Sequence, residues 1–179
     1  CGHIIPDYPT VLKIGFQGIH AVLTARYDAL PAEEKKGPKG AQLQAMLTAA
    51  TLPRDLAQGY ADKIDLLLEA EGDEERRAEL TRMRDNLRLV PWQPAQDFWQ
   101  ALQALWITHM LVLSDENYPG AGVSFGRLDQ YMLPYYQQSL AEGMDREFLK
   151  EILKCFWLHC NYAYDAMIAT GDQGITAGY

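Results

Sequence analysis

The apolar residues of this chain recur at helical spacing almost from its start. Val11, Leu12, Ile14, Gly15, Ile19, Val22, Leu23 and Tyr27 follow one another between Asp7 and Pro31, which predicts one long helix with Pro9 in its first turn. The stretch "PAEEKKGPKG", residues 31–40, breaks the pattern and reads as a connection. A second helix is expected from Ala41 towards Thr51, where Pro53 must break it by removing a donor and crowding the preceding turn. A third carries Leu56, Tyr60, Ile64, Leu67 and Leu68 to Gly72, and a fourth runs from Asp73 through Leu80, Met83 and Leu87 until "VPWQP". Pro94 is expected at the first position of the next helix, where Phe98, Trp99, Leu102, Leu105, Trp106, His109, Met110 and Leu113 form a broad apolar face. A helix from Leu128 to Leu140, kinked or restarted at Pro134, and a last helix capped by Asp145 complete the set. Apolar residues from Phe148 through Leu153, Trp157 and Tyr164 to Met167 cover nearly the whole circumference of that last helix, the pattern of a helix enclosed on all sides. Six or seven helices of this length would struggle to enclose one among themselves, so the covering surface is expected outside these residues.

One polar bend interrupts this mainly α chain. "ENYPGAGVSFGR" holds three glycines and a proline and precedes Asp129. Its backbone can take conformations closed to other residues, so it reads either as a plain connection or as a place where polar groups approach a ligand. It lacks the lysine and the glycine spacing of a phosphate loop.

Composition narrows the classes. A chain of 179 residues fits one domain with a sizeable core. A formal charge of -8 argues against nucleic acid and anionic membrane surfaces, both of which need surplus Lys and Arg. The most apolar stretch, Phe98 to Leu113, is broken by Gln100, Gln103, Thr108 and His109, so it reads as a core helix and not a membrane span. No secretory signal is visible. The chain opens at Cys1-Gly2-His3 without an initiator Met, and a processed chain or a piece of a longer one is expected. Three cysteines make no disulfide framework, and a reducing cytoplasm is the simpler compartment.

Cys155, His159 and Cys160 stand within two turns and could hold zinc if a fourth ligand joined them; the blander reading is two small hydrophobes and a core histidine. His20 and His109, on or beside apolar helix faces, receive the bland reading too. No Ser or Cys sits on a strand-to-helix elbow of the kind a nucleophilic triad uses.

Three stretches carry a resemblance. "GHIIPDYPTVLKIGFQGI", "AELTRMRDNLRLVPWQPAQDFWQALQALWITHMLVLSDEN" and "VSFGRLDQYMLPYY" resemble, in this order, the N-terminal half of the glycyl radical enzymes of the pyruvate formate-lyase-like superfamily, nearer to their dehydratase and lyase branch. The resemblance implies a ten-stranded α/β barrel wrapped by helices, with this chain supplying wrapping. It also implies a glycyl radical, installed by a separate iron-sulfur activating enzyme that uses S-adenosylmethionine. That radical would oxidise a cysteine to a thiyl, which takes hydrogen from a small polar substrate before a neighbouring group leaves.

The resemblance also sorts the residues. The thiyl cysteine belongs to a Cys-x-Glu motif, which none of the three cysteines here matches, and "GITAGY", ending at Gly178 and Tyr179, lacks the Arg-Val pair of the radical loop. Neither radical residue is therefore expected here, no cofactor is expected to be bound by this segment, and the segment alone is expected to be inactive. What the resemblance leaves for this chain is pocket wall: His3 towards a substrate hydroxyl, Ser124 as a second hydroxyl contact and Tyr179 over the substrate, with Arg127 and Asp129 pinning the bend. Diol, hydroxyproline and isethionate substrates stay open. The implied partners are the substrate, the activating enzyme, the rest of the same catalytic domain and, as one arrangement, a second copy in a homodimer. The alternative is a freestanding helical binding or scaffold module without catalysis.

Overall fold

The computed structural model describes residues 4–115 and 123–169, with side chains described as far as Asn161. Among the described residues the chain forms eight α-helices and one isolated β-bridge. They fall into two compact units, one of Pro9–Ala95 and the other of the residues up to Tyr8 with those from Gln96 on.

The unit Pro9–Ala95 holds α1 (Tyr8–Asp28), α2 (Ala32–Lys35), α3 (Pro38–Ala49), α4 (Leu52–Ala70) and α5 (Glu74–Leu87). The expected connection over residues 31–40 is corrected here: α2 occupies part of it, and α3 begins at Pro38 rather than Ala41. Pro38 has no N–H to lose at a helix start, so the residue that looked like a breaker opens the helix. Pro53 likewise stands in the first turn of α4.

The single long first helix is also corrected, because α1 is two helices merged across a break at Gly15, with φ 64° and ψ 170°. The break has an external cause. Phe16 and Gln17 donate their N–H groups to the carbonyls of Pro91 and Trp92 at 2.9 and 2.8 Å, and Ala95 donates to Leu12 O at 3.0 Å. Backbone groups freed by the break are thus taken up by the turn after α5.

α4 and α5 pack as an antiparallel pair. Ala57, Ala61, Ile64 and Leu68 are buried at helical spacing along α4, and the two alanines leave room for a close neighbour. Asp73 caps α5 by accepting from Arg76 N at 2.8 Å, while Arg77 donates to the carbonyls of Leu68 and Glu71 near the end of α4.

The other unit packs α6 (Phe98–Asp115) against α7 (Leu128–Ala141) and α8 (Arg146–Ala169). Pro94 does not open α6. Residues 94–96 are non-helical, and the helix starts four residues later because the Asp97 carboxylate accepts from Gln100 N at 2.7 Å while Gln100 Oε1 accepts from Gln96 N at 3.0 Å. Pro134 sits inside α7 without restarting it, and Asp145 accepts from Phe148 N at 3.0 Å at the start of α8.

Ser139, fully buried in α7, accepts from the N–H of Phe98 at 2.9 Å, so one helix satisfies the first donor of another. Ser139→Ala strands that buried N–H and is expected to cost about 1–2 kcal/mol, read as a lower midpoint in urea with an unchanged slope.

The last helix is not enclosed on all sides. Of its described side chains only Leu149 and Phe156 are buried, while Trp157 and Leu158 are 47% and 58% exposed. Helix α6 and the Phe125 ring of the bend pack against α8, and they leave much of its circumference uncovered.

Candidate functional site

The bend is built from both ends of its unit. Ile4 and Val123 form a parallel bridge, and Ser124 N donates to Ile4 O at 3.0 Å. Gly126 N then turns back to donate to Ser124 Oγ at 3.2 Å. Gly126 takes φ +62°, a conformation that favours glycine, and a Cβ there would lie 2.9 Å from Ile5 Cγ2, so the exposed Ile5 side chain would have to shift.

Period-two geometry sends neighbouring side chains opposite ways. Ser124 is exposed, while Phe125 enters an aromatic cluster. Its ring centroid lies 4.1 Å from that of His109, 5.1 Å from Phe156 and 6.0 Å from Tyr8. Tyr131, in the first turn of α7, donates its hydroxyl to Phe125 O at 2.9 Å, and Tyr8 is joined to His109 Nδ1 at 2.7 Å.

Burial sets the charges in this cluster. It pushes the His109 imidazole down to about 4, so the ring is neutral at physiological pH. In the tautomer protonated on Nε2, Nδ1 accepts from the Tyr8 hydroxyl. Burial also pushes the Tyr8 phenol up, with Tyr131 adding to the effect, and burial pushes Tyr131 up as well. The cluster is therefore uncharged. Outside it, Arg127 forks onto Asp129 with both contacts at 3.0 Å. That guanidinium and the Gln130 amide hold the Asp129 carboxyl well below the usual carboxylate range.

Ser124, Arg127 and Asp129 thus share one exposed bend, whereas His3 and Tyr179 lie outside the described residues, as do Cys1 and Gly178. Ile4 follows His3 directly, so the bridge fixes the chain one residue from His3 beside Ser124. The Ser124 Oγ accepts from Gly126 N, and the hydroxyl also carries a hydrogen to donate. Sequence reasoning missed Phe125, Tyr131 and Tyr8 as parts of this arrangement.

Cys155 and Cys160 both lie inside α8, the first exposed and the second half-buried. Burial pushes the Cys160 thiol up to about 11, away from the thiolate that zinc requires. Among the described residues no three His, Cys, Asp or Glu side chains gather as metal ligands. His159 stacks at 5.5 Å from Trp106, and His20 lies 5.9 Å from Trp92. No helix among the described residues is long and apolar enough to cross a membrane.

The described helices leave apolar side chains uncovered, and the polar bend is tied to the start of its unit. The chain belongs to the pyruvate formate-lyase-like family of glycyl radical enzymes, whose model matches residues 1–177. It is 32% identical over 178 residues to an isethionate sulfite-lyase of Desulfovibrio desulfuricans, covering 98% of this chain and 21% of that protein. It is 31% identical over 159 residues to a trans-4-hydroxy-L-proline dehydratase of Clostridioides difficile, covering 85% of this chain and 20% of that protein. The structure of the enzyme of 1,2-propanediol dehydration in Roseburia inulinivorans matches at a TM-score of 0.82 with 30% identity, covering 88% of this chain and 19% of that one. The chain thus spans about a fifth of the length of these relatives.

Proposed function

We propose that this chain is part of a glycyl radical dehydratase or lyase, supplying helical wrapping of the barrel and a portion of the substrate wall. The substrate is a small polar molecule of the diol, hydroxyproline or isethionate type. The observation that carries this reading is the alignment of 98% of the chain, at 32% identity, with an isethionate sulfite-lyase. Uncovered apolar side chains support it, Leu66 and Leu158 each being 58% exposed and needing a further surface to bury against.

In the complete enzyme the radical, held by residues outside this chain, supplies hydrogen abstraction from the carbon bearing the substrate hydroxyl. This chain's own residues bind and orient. His3 meets a substrate hydroxyl through an imidazole able to donate and accept, Ser124 offers its own hydroxyl to a second polar group of the substrate, and Tyr179 covers the substrate. Arg127 and Asp129 hold the bend without touching the substrate. Helical wrapping keeps water from the radical.

The complete coding sequence, expressed without oxygen together with its activating enzyme and S-adenosylmethionine, is expected to show the paramagnetic resonance doublet of a glycyl radical. That protein is expected to turn over 1,2-propanediol, trans-4-hydroxy-L-proline or isethionate. A protein with no radical signal, or with a radical and no turnover of any of the three, overturns the reading.

A further inference from the structure

The Phe125 carbonyl and the Gly126 N–H belong to one peptide unit, which is planar and moves as a plate. Tyr131 grips one edge of that plate and Ser124 the other: the Tyr131 hydroxyl donates to Phe125 O at 2.9 Å, and Gly126 N donates to Ser124 Oγ at 3.2 Å. We propose that Tyr131 is a positioning residue for Ser124, setting the direction of its hydroxyl through the 125–126 peptide. The proposal rests on the reading of Ser124 as substrate wall.

Four observations carry it. The relay is unbroken from Tyr131 through the amide to Ser124 Oγ, and a hydrogen bond received at a carbonyl polarises the amide so that its N–H donates more strongly. Tyr131 is itself held, its ring lying 6.4 Å from that of Tyr8, which is fixed by its bond to His109. The Phe125 ring, 4.1 Å from His109, prevents the plate from swinging about the chain axis. Ser124 is exposed, and the contacts described for its hydroxyl and backbone N–H are those to Gly126 N and Ile4 O. Its rotamer therefore depends on the plate.

Tyr131→Phe removes one hydroxyl and keeps the ring. In the complete activated enzyme, with whichever of 1,2-propanediol, trans-4-hydroxy-L-proline or isethionate it turns over, Y131F is expected to raise KM about five- to tenfold and leave kcat within about twofold. In an S124A background the same change is expected to move KM less than about twofold, because its route of action is gone. Equal effects in both backgrounds, or no effect of Y131F where S124A raises KM, overturn the proposal. If S124A leaves KM unmoved in an active enzyme, the wall reading fails. A second measurement then decides the relay by itself: amide hydrogen exchange of this chain is expected to speed up about tenfold at Gly126 in Y131F, with the melting of α6 and α8 unchanged. Unchanged exchange at Gly126 sinks the relay whatever the enzyme does.

Discussion

Gly15→Ala is expected to damage the unit Pro9–Ala95 severely, because strain and a backbone clash act together. Gly15 sits at φ 64° and ψ 170°, a region that is essentially glycine's alone and costs other residues about 1–3 kcal/mol. Space adds to strain. A Cβ at Gly15 would fall far inside contact distance of the Trp92 carbonyl oxygen and lie 2.7 Å from Gln93 C and 2.9 Å from Trp92 C. All three are backbone atoms, so no side chain can rotate away. Relief requires moving residues 91–93, and their carbonyls hold Phe16 N and Gln17 N. The expected loss is on the order of 3 kcal/mol or more, read in thermal or urea unfolding. Gly59→Ala serves as the opposite control, since nothing lies within 4 Å of a Cβ built there in the interior of α4. It is expected to stabilise by about 0.5–1 kcal/mol. A Gly15→Ala chain that melts with the parent contradicts this account of the break.

The second large effect follows pH. His109 is 6% exposed and its imidazole is pushed from the ordinary value of 6.5 down to about 4 by burial. The unfolded chain therefore binds a proton between these values that the folded chain refuses, and stability falls as pH falls through that window. The contribution is fully present above about pH 7, declines from about 6.5 to about 4, and levels below, for a total of about 3 kcal/mol. Carboxylates titrate near the lower end, so the readout is a difference: the parent is expected to lose more stability than His109→Gln between pH 7 and pH 4.5. Glutamine keeps a polar partner for Tyr8 and takes up no proton. Parallel stability curves for the two chains rule out the buried neutral imidazole.

Long periodic helices were legible as elements because burial against one neighbour selects apolar residues every three or four positions. The face of α4 was only half read: Ile64 and Leu68 are buried as expected, whereas Tyr60 and Leu67 are exposed and Ala57 and Ala61 face inward in their place. Errors came where an element depends on something remote or on chemistry that mimics a breaker. Gly15 breaks α1 because a turn some seventy-five residues later needs the space, and no local pattern carries that information. Pro38 opens α3 and Asp97 opens α6, although the Asp97 to Gln100 spacing was a readable capping signal. The polar bend was visible from its glycines. Its anchoring was not, since Tyr8, His109 and Phe125 are joined across about a hundred residues, and a lone aromatic at each position has no period. The uncovered face of α8 was foreshadowed by an apolar circumference that its own unit cannot cover.

The suture at Leu12, Phe16 and Gln17 ties the opening turns of one unit to its final residues at Pro91, Trp92 and Ala95. Such a clasp closes only after the whole intervening chain has emerged and folded back, so the second half of α1 acquires its native exit direction last. Helix α1 is in this sense finished by the last turn of its own unit.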